Sequence, residues 1–158
     1  MANKNRQKFL SGQSLVEVVV SVGIAVMLAI SLITTSLITQ KSSRSARNNS
    51  QATKLVQQTL EQLRVFRDRK GFDSLPDTPT TAWYCLNTTN SDPTAWILDT
   101  SCSTTQTITL ANMNFTRKIE FIDNGSQKKL ITITVSWDES GQTRLIKSQT
   151  FLSLWQDF

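Results

Sequence analysis

The chain has 158 residues, 39% of them hydrophobic, a formal charge of +5 and no histidine. Without imidazole there is no Ser-His-Asp or Cys-His catalysis and no His-ligated metal, and two cysteines are too few for a four-thiolate zinc site. The charge is uneven: residues 1–12 carry +3, 13–40 carry −1, 41–70 carry +6 and 71–158 carry −3. The basicity therefore belongs to the first 12 residues and one later stretch. The mildly acidic C-terminal half argues against a nucleic-acid role for the whole protein.

From Val18 to Gln40, 23 residues pass without an Asp, Glu, Lys or Arg. A bilayer core needs about 20 apolar residues in a helix, and Val18–Ile38 meets that. Its Ser, Thr and Gly residues are tolerable there, because hydroxyls bond back to the helix and small residues pack closely. Lys4, Arg6 and Lys8 before the span are balanced by Lys41, Arg44, Arg47 and Lys54 after it, so charge alone leaves the orientation open.

Helical periodicity continues past the span. Ala52, Leu55/Val56, Thr59/Leu60, Leu63 and Phe66 form one stripe at spacings of three and four. Gly71, after Arg69 and Lys70, marks a helix end. The spacing predicts one helix over 13–70, about 87 Å long at 1.5 Å per residue. Its apolar half, residues 13–40, must then be embedded in a membrane or among other subunits. Residues 41–70 form the amphipathic half.

Residues 71–158 read as a small globular region. Its first part, to about 112, is a Thr-, Ser-, Asn- and Pro-rich loop with short strands at Ala82–Leu86, Ala95–Leu98 and Ile108–Leu110. Residues 115–155 predict a three-stranded meander: Phe115–Asp123, a tight turn at Asn124–Gly125, Lys129–Trp137, a turn at Asp138–Gly141, and Thr143–Trp155. Slipping alternation near Ser148–Leu152 suggests a bulge or bend. One apolar sheet face needs cover, and the Leu55–Phe66 stripe supplies it. The expected class is α+β: a long N-terminal helix packed on a small antiparallel sheet.

Glu17 heads the apolar run, where an ionised carboxylate needs a reason or a partner. A secretory signal peptide supplies none, and its apolar core would be shorter. Gly12, Ser14, Leu15, Val16 and Glu17, after a short basic leader and before a long apolar helix, resemble the type IV pilin-like family at its prepilin motif. The resemblance implies a leader at 1–12, cleavage between Gly12 and Gln13 by a prepilin peptidase/methyltransferase, and N-methylation of Gln13. It implies that Glu17 pairs with the α-amine of a neighbouring subunit during assembly, each charge neutralising the other where water is scarce. The implied partners are other pilin or pseudopilin subunits and the inner-membrane assembly platform. Gln13 stands where the family usually has Phe, and Thr34 where many major pilins have proline. Such departures, with the QTFLSLW ending, are similar to minor pilins of the modification group and to minor pseudopilins.

The expected function is a structural subunit of a type IV pilus or type II secretion-like filament, without enzymatic activity, cofactor or metal. The expected location is the cytoplasmic membrane, single-pass, with the C-terminal domain outside the cytoplasm, then a cell-surface pilus or periplasmic pseudopilus. The alternatives are a filament-tip adhesin, a DNA-uptake module and a plain single-pass anchored protein.

Outside the cytoplasm Cys85 and Cys102 would form a disulfide, worth about 3 kcal/mol in the chain-entropy model; the alternative is two unpaired small residues. Residues 41–70 could bind DNA, but a solvated helix face beside headgroups or subunits is favoured. Trp83, Trp96, Trp137 and Trp155 are expected to fill the core rather than form a binding platform. Asp138 and Glu139 are expected to be turn residues.

Overall fold

The computed structural model describes residues 10–76, 83–100, 106–123 and 127–154. The fold is α+β, as expected: one long N-terminal helix packed on antiparallel strands. Helix α1 (Leu10–Lys70, 61 residues) has Arg67, Arg69 and Lys70 in its last turn, where cations suit the negative end of the helix dipole. The Gly71 N–H donates to the Arg67 carbonyl at 2.8 Å. With φ 88° and ψ 157°, Gly71 turns the chain away in a region that side chains disfavour.

Six strands follow: β1 (Cys85–Asn87), β2 (Ile97–Asp99), β3 (Gln106–Leu110), β4 (Met113–Asp123), β5 (Lys128–Glu139) and β6 (Gln142–Ser153). β1 and β2 form an antiparallel pair, and β3-β4-β5-β6 form an antiparallel sheet in chain order.

Three sequence expectations are corrected here. The meander has four strands, because β3 pairs with β4 through Ala111 and Asn112, both at positive φ (49° and 64°). That hairpin geometry normally advertises itself with glycine, and here it does not. No bulge interrupts β6, whose pairing with β5 runs one to one from Glu139↔Gln142 to Lys128↔Ser153. The apparent slip arises because apolar neighbours take opposite faces: Phe151 is exposed beside Leu130, and Leu152 is buried. The second turn sits at Ser140–Gly141, again at positive φ (57° and 76°), and Glu139 belongs to β5. The Asn124–Gly125 turn lies outside the described residues.

The chain divides into two units, Met1–Arg44 and Ser45–Phe158. In the second, the stripe of α1 is buried: Ala52, Thr59 and Leu63 are fully inaccessible, and Leu55, Val56 and Phe66 nearly so. It meets Phe115, Ile119 and Phe121 of β4 and Ile131, Ile133, Val135 and Trp137 of β5 in one hydrophobic cluster. All seven occupy odd positions, the single inner face that period-two alternation requires. Burial of each large aliphatic side chain there is worth about 1.5–3 kcal/mol. Tyr84 extends the edge of β4 through a bridge to Ile119 and meets Phe121 edge-on, with ring centroids 5.2 Å apart.

Candidate functional site

In the first unit, the backbone at Gly12 and Gln13 is helical; their side chains lie outside the described residues. From Leu15 to Ile38 the large apolar side chains are between 52% and 73% exposed, so the chain itself provides them no cover. Most of the hydroxyls among them bond back to the helix. Ser21 donates to the Glu17 carbonyl at 2.7 Å and Ser31 to that of Met27 at 2.9 Å, while Thr34, Thr35 and Thr39 bond back to the carbonyls four residues earlier. With the backbone helical and most hydroxyls bonded back to it, the segment presents mainly hydrocarbon outward, as a lipid or subunit environment requires. It is long and apolar enough to cross a membrane. Glu17 is exposed in this surface, and no ion pair reaches it among the described residues.

The loop region holds Cys85 on β1. No described cysteine carries a free thiol. Cys102 lies outside the described residues. Among the described residues, no cluster of three or more Cys, Asp or Glu side chains could hold a metal.

The basic stretch divides by role. Lys41, Arg44, Arg47 and Lys54 are exposed. Arg64 pairs with Glu61 at 2.5 Å on the helix surface. Arg67 is buried, holds Asp68 at 2.7 Å and donates to the Ser153 carbonyl at 3.3 Å. Lys70 donates to the Trp96 carbonyl at 2.5 Å. Two of these cations thus tie the helix end to β6 and to the loop before β2.

The tryptophans also diverge. Trp137 is in the core and Trp96 packs against it. Trp83 does not join the core, which corrects the expectation: it is 40% exposed, with the Lys118 ammonium 4.0 Å from its ring centroid. Its neighbour Tyr84 takes the inner face, so alternation turns Trp83 outward. Trp155 lies outside the described residues.

Three charged groups acquire roles that the sequence reading missed. Glu139 is more than a turn residue: its carboxylate accepts from Ser45 Oγ at 3.1 Å and Asn48 Nδ2 at 3.4 Å. Lys129, on the inner face of β5, is 2% exposed; its Nζ donates to the Leu75 carbonyl at 2.6 Å and lies 4.8 Å from the Phe72 ring centroid. Arg117, on the inner face of β4, is 6% exposed and donates to Thr59 Oγ1 at 3.0 Å, the Leu86 carbonyl at 3.1 Å and Gln106 Oε1 through both Nε and Nη2. Every one of these acceptors is neutral, so burial pulls the Arg117 pKa down to about 10. The guanidinium still carries its charge at neutral pH. Parity was the available signal for both cations: Arg117 falls between Phe115 and Ile119, and Lys129 falls two before Ile131.

Asp92 caps the short turn Pro93–Ala95, accepting from the Thr94 N–H at 2.9 Å. That bond, then the Thr94 hydroxyl and more distantly Arg69, holds its carboxyl below the ordinary value of 3.8.

Comparison with known proteins returns nothing: no family model, curated protein or solved structure matches this chain.

Proposed function

We propose that this chain is a structural subunit, a minor pilin or pseudopilin, of a type IV pilus or type II secretion-like filament. The observation that carries the reading is Glu17, an exposed carboxylate without an ion-pair partner among the described residues, at the head of an uncovered apolar helix. A charge in that position is costly in hydrocarbon unless an opposite charge meets it. The α-amine of a neighbouring subunit, released by cleavage after Gly12 and methylated at Gln13, is such a charge. In this reading residues 1–12 are removed by a prepilin peptidase/methyltransferase and residues 13–40 pack in the membrane and then in the filament core. Residues 41–70 carry the helix into the outward-facing region 71–158, and the assembly platform of the cytoplasmic membrane adds the subunit to the filament. A Cys85–Cys102 bond outside the cytoplasm closes the Thr-rich loop.

N-terminal sequencing of the mature protein tests the reading. It expects Gln13 as the first residue and a retained leader in Gly12→Ala. It further expects that Glu17→Ala is cleaved normally but lost from purified filaments. A mature protein that keeps residues 1–12 makes the chain a plain single-pass anchored protein. Two free thiols in the exported protein, by non-reducing mass spectrometry, would exclude the disulfide.

A further inference from the structure

Between α1 and β3 lies a cleft of about 530 Å³, within the common size range of ligand sites. Gln51, Lys54, Gln58 and Gln62 line it from the helix, Gln106 and Ile108 from β3, and Arg117 from β4. We propose that this cleft binds an acidic peptide in extended conformation, which lies along β3 as an added strand and places a carboxylate between Lys54 and Arg117. The inference concerns the second unit alone and stands apart from the filament reading.

Four observations select this occupant. The first is charge: among the described residues of the lining, both ionisable side chains are cations and no carboxylate joins them. Lys54 has no ion pair among the described residues. Arg117 has five N–H groups, and four are used by Thr59, Leu86 and Gln106; one Nη1 N–H has no acceptor among the described residues. A buried cation with only neutral partners has its charge uncompensated, and an arriving carboxylate supplies the opposite charge and an acceptor for the remaining N–H.

The second observation is Gln62. Its Oε1 is buried and has no donor among the described residues. Such an acceptor costs free energy until an N–H reaches it. Gln51 and Gln58 stand beside it on the helix wall of the cleft, carboxamides able to donate and accept as a peptide unit demands, while the Gln106 oxygen is already held by Arg117.

The third is topology. Among the described residues β3 is an edge strand of the sheet, paired with β4 alone, so its other edge offers N–H and C=O groups to an incoming strand. The fourth is the absence of any aromatic ring among the described residues of the lining. Sugars and bases favour such rings for stacking; aliphatic floor residues such as Leu55 and Ile108 suit the side chains of a β-strand instead.

The test uses the full chain in detergent micelles and a dye-labelled Thr-Val-Thr-Glu-Val-Thr peptide followed by fluorescence anisotropy. Saturable binding is expected, weakened by salt and about tenfold poorer for the peptide with Gln in place of Glu. Lys54→Gln, at an exposed position, should show the same tenfold loss with an unchanged thermal melt. Bound peptide should also raise hydrogen-exchange protection at Gln106–Leu110. Equal affinity for the Glu and Gln peptides would overturn the proposal, as would no binding up to about 1 mM. Binding without added protection in β3 would remove the strand geometry. Competition by N-acetylglutamate or galacturonate at the peptide's own affinity would make the cleft a small-acid or sugar site, and the peptide reading would fall.

Discussion

Arg117 Nη1 donates to Thr59 Oγ1 at 3.0 Å, a hydrogen bond between two buried side chains 58 residues apart. The Thr59 hydroxyl in turn donates to the Leu55 carbonyl at 2.7 Å. One hydroxyl thus joins the helix backbone to a cation on the sheet. Thr59→Val keeps the shape and removes the acceptor, so it should destabilise the fold by about 1–3 kcal/mol. Arg117→Met removes the orphaned cation, so in its background the Thr59→Val penalty should shrink. Urea denaturation of the four chains of this double-mutant cycle measures the coupling; strictly additive losses would mean that the two side chains do not communicate.

Glu139 fastens the far end of the β5–β6 hairpin to the start of the packed helix through Ser45 and Asn48. Its side chain is 15% exposed, so both bonds are partly shielded from water. Glu139→Ala should cost about 1–2 kcal/mol. The loss should be local: amide exchange accelerates near Ser45–Gln51 and stays unchanged near Leu63–Phe66. Uniform acceleration along the helix would contradict this placement.

Gly71 ends α1 with φ 88° and ψ 157°, and a Cβ there would meet no atom within 4 Å. Any cost of substitution is therefore conformational. Gly71→Ala should lose about 1–3 kcal/mol in thermal or urea unfolding. Because ψ is extended, Gly71→Asn should lose a similar amount; a left-handed helical cap would have accepted asparagine more readily.

Asp92 ties the loop before β2 in a pH-dependent way. Its folded pKa lies below 3.8, so the unfolded chain binds the proton more readily. The contribution is present above 3.8 and is lost as pH falls through the lower folded value. Protection of the Thr94 amide should therefore decline in acid below about 3.8, and Asp92→Asn should abolish that pH dependence. A Thr94 amide whose protection is flat from pH 5 to the acid limit, as about two pH units of titration would reveal, contradicts the cap.

Much of this architecture is legible in the residues themselves. The stripe from Ala52 to Phe66 has the helical period, and its members are buried where that period places them. The odd positions of β4 and β5 alternate, and they form the inner face. Glu17 is visible as an anomaly before any coordinate is known, since a charge heading an apolar run contradicts its surroundings.

The sequence by itself determined the long helix, its two halves of different polarity, and the antiparallel strands that cover one of them. Local periods of 3.6 and 2 decide these features, and a period is a property of neighbours in the chain. Only the tertiary structure decided that β3 joins the sheet, that Glu139 reaches back to Ser45, and that Arg117 is buried among Thr59, Leu86 and Gln106. Those facts depend on which atoms meet across 3 to 94 residues of chain, as set by register and packing. Parity could place Arg117 on the inner face. Whether that cation would find neutral acceptors, and a cleft beside it, was settled by the strand and the helix that close over it.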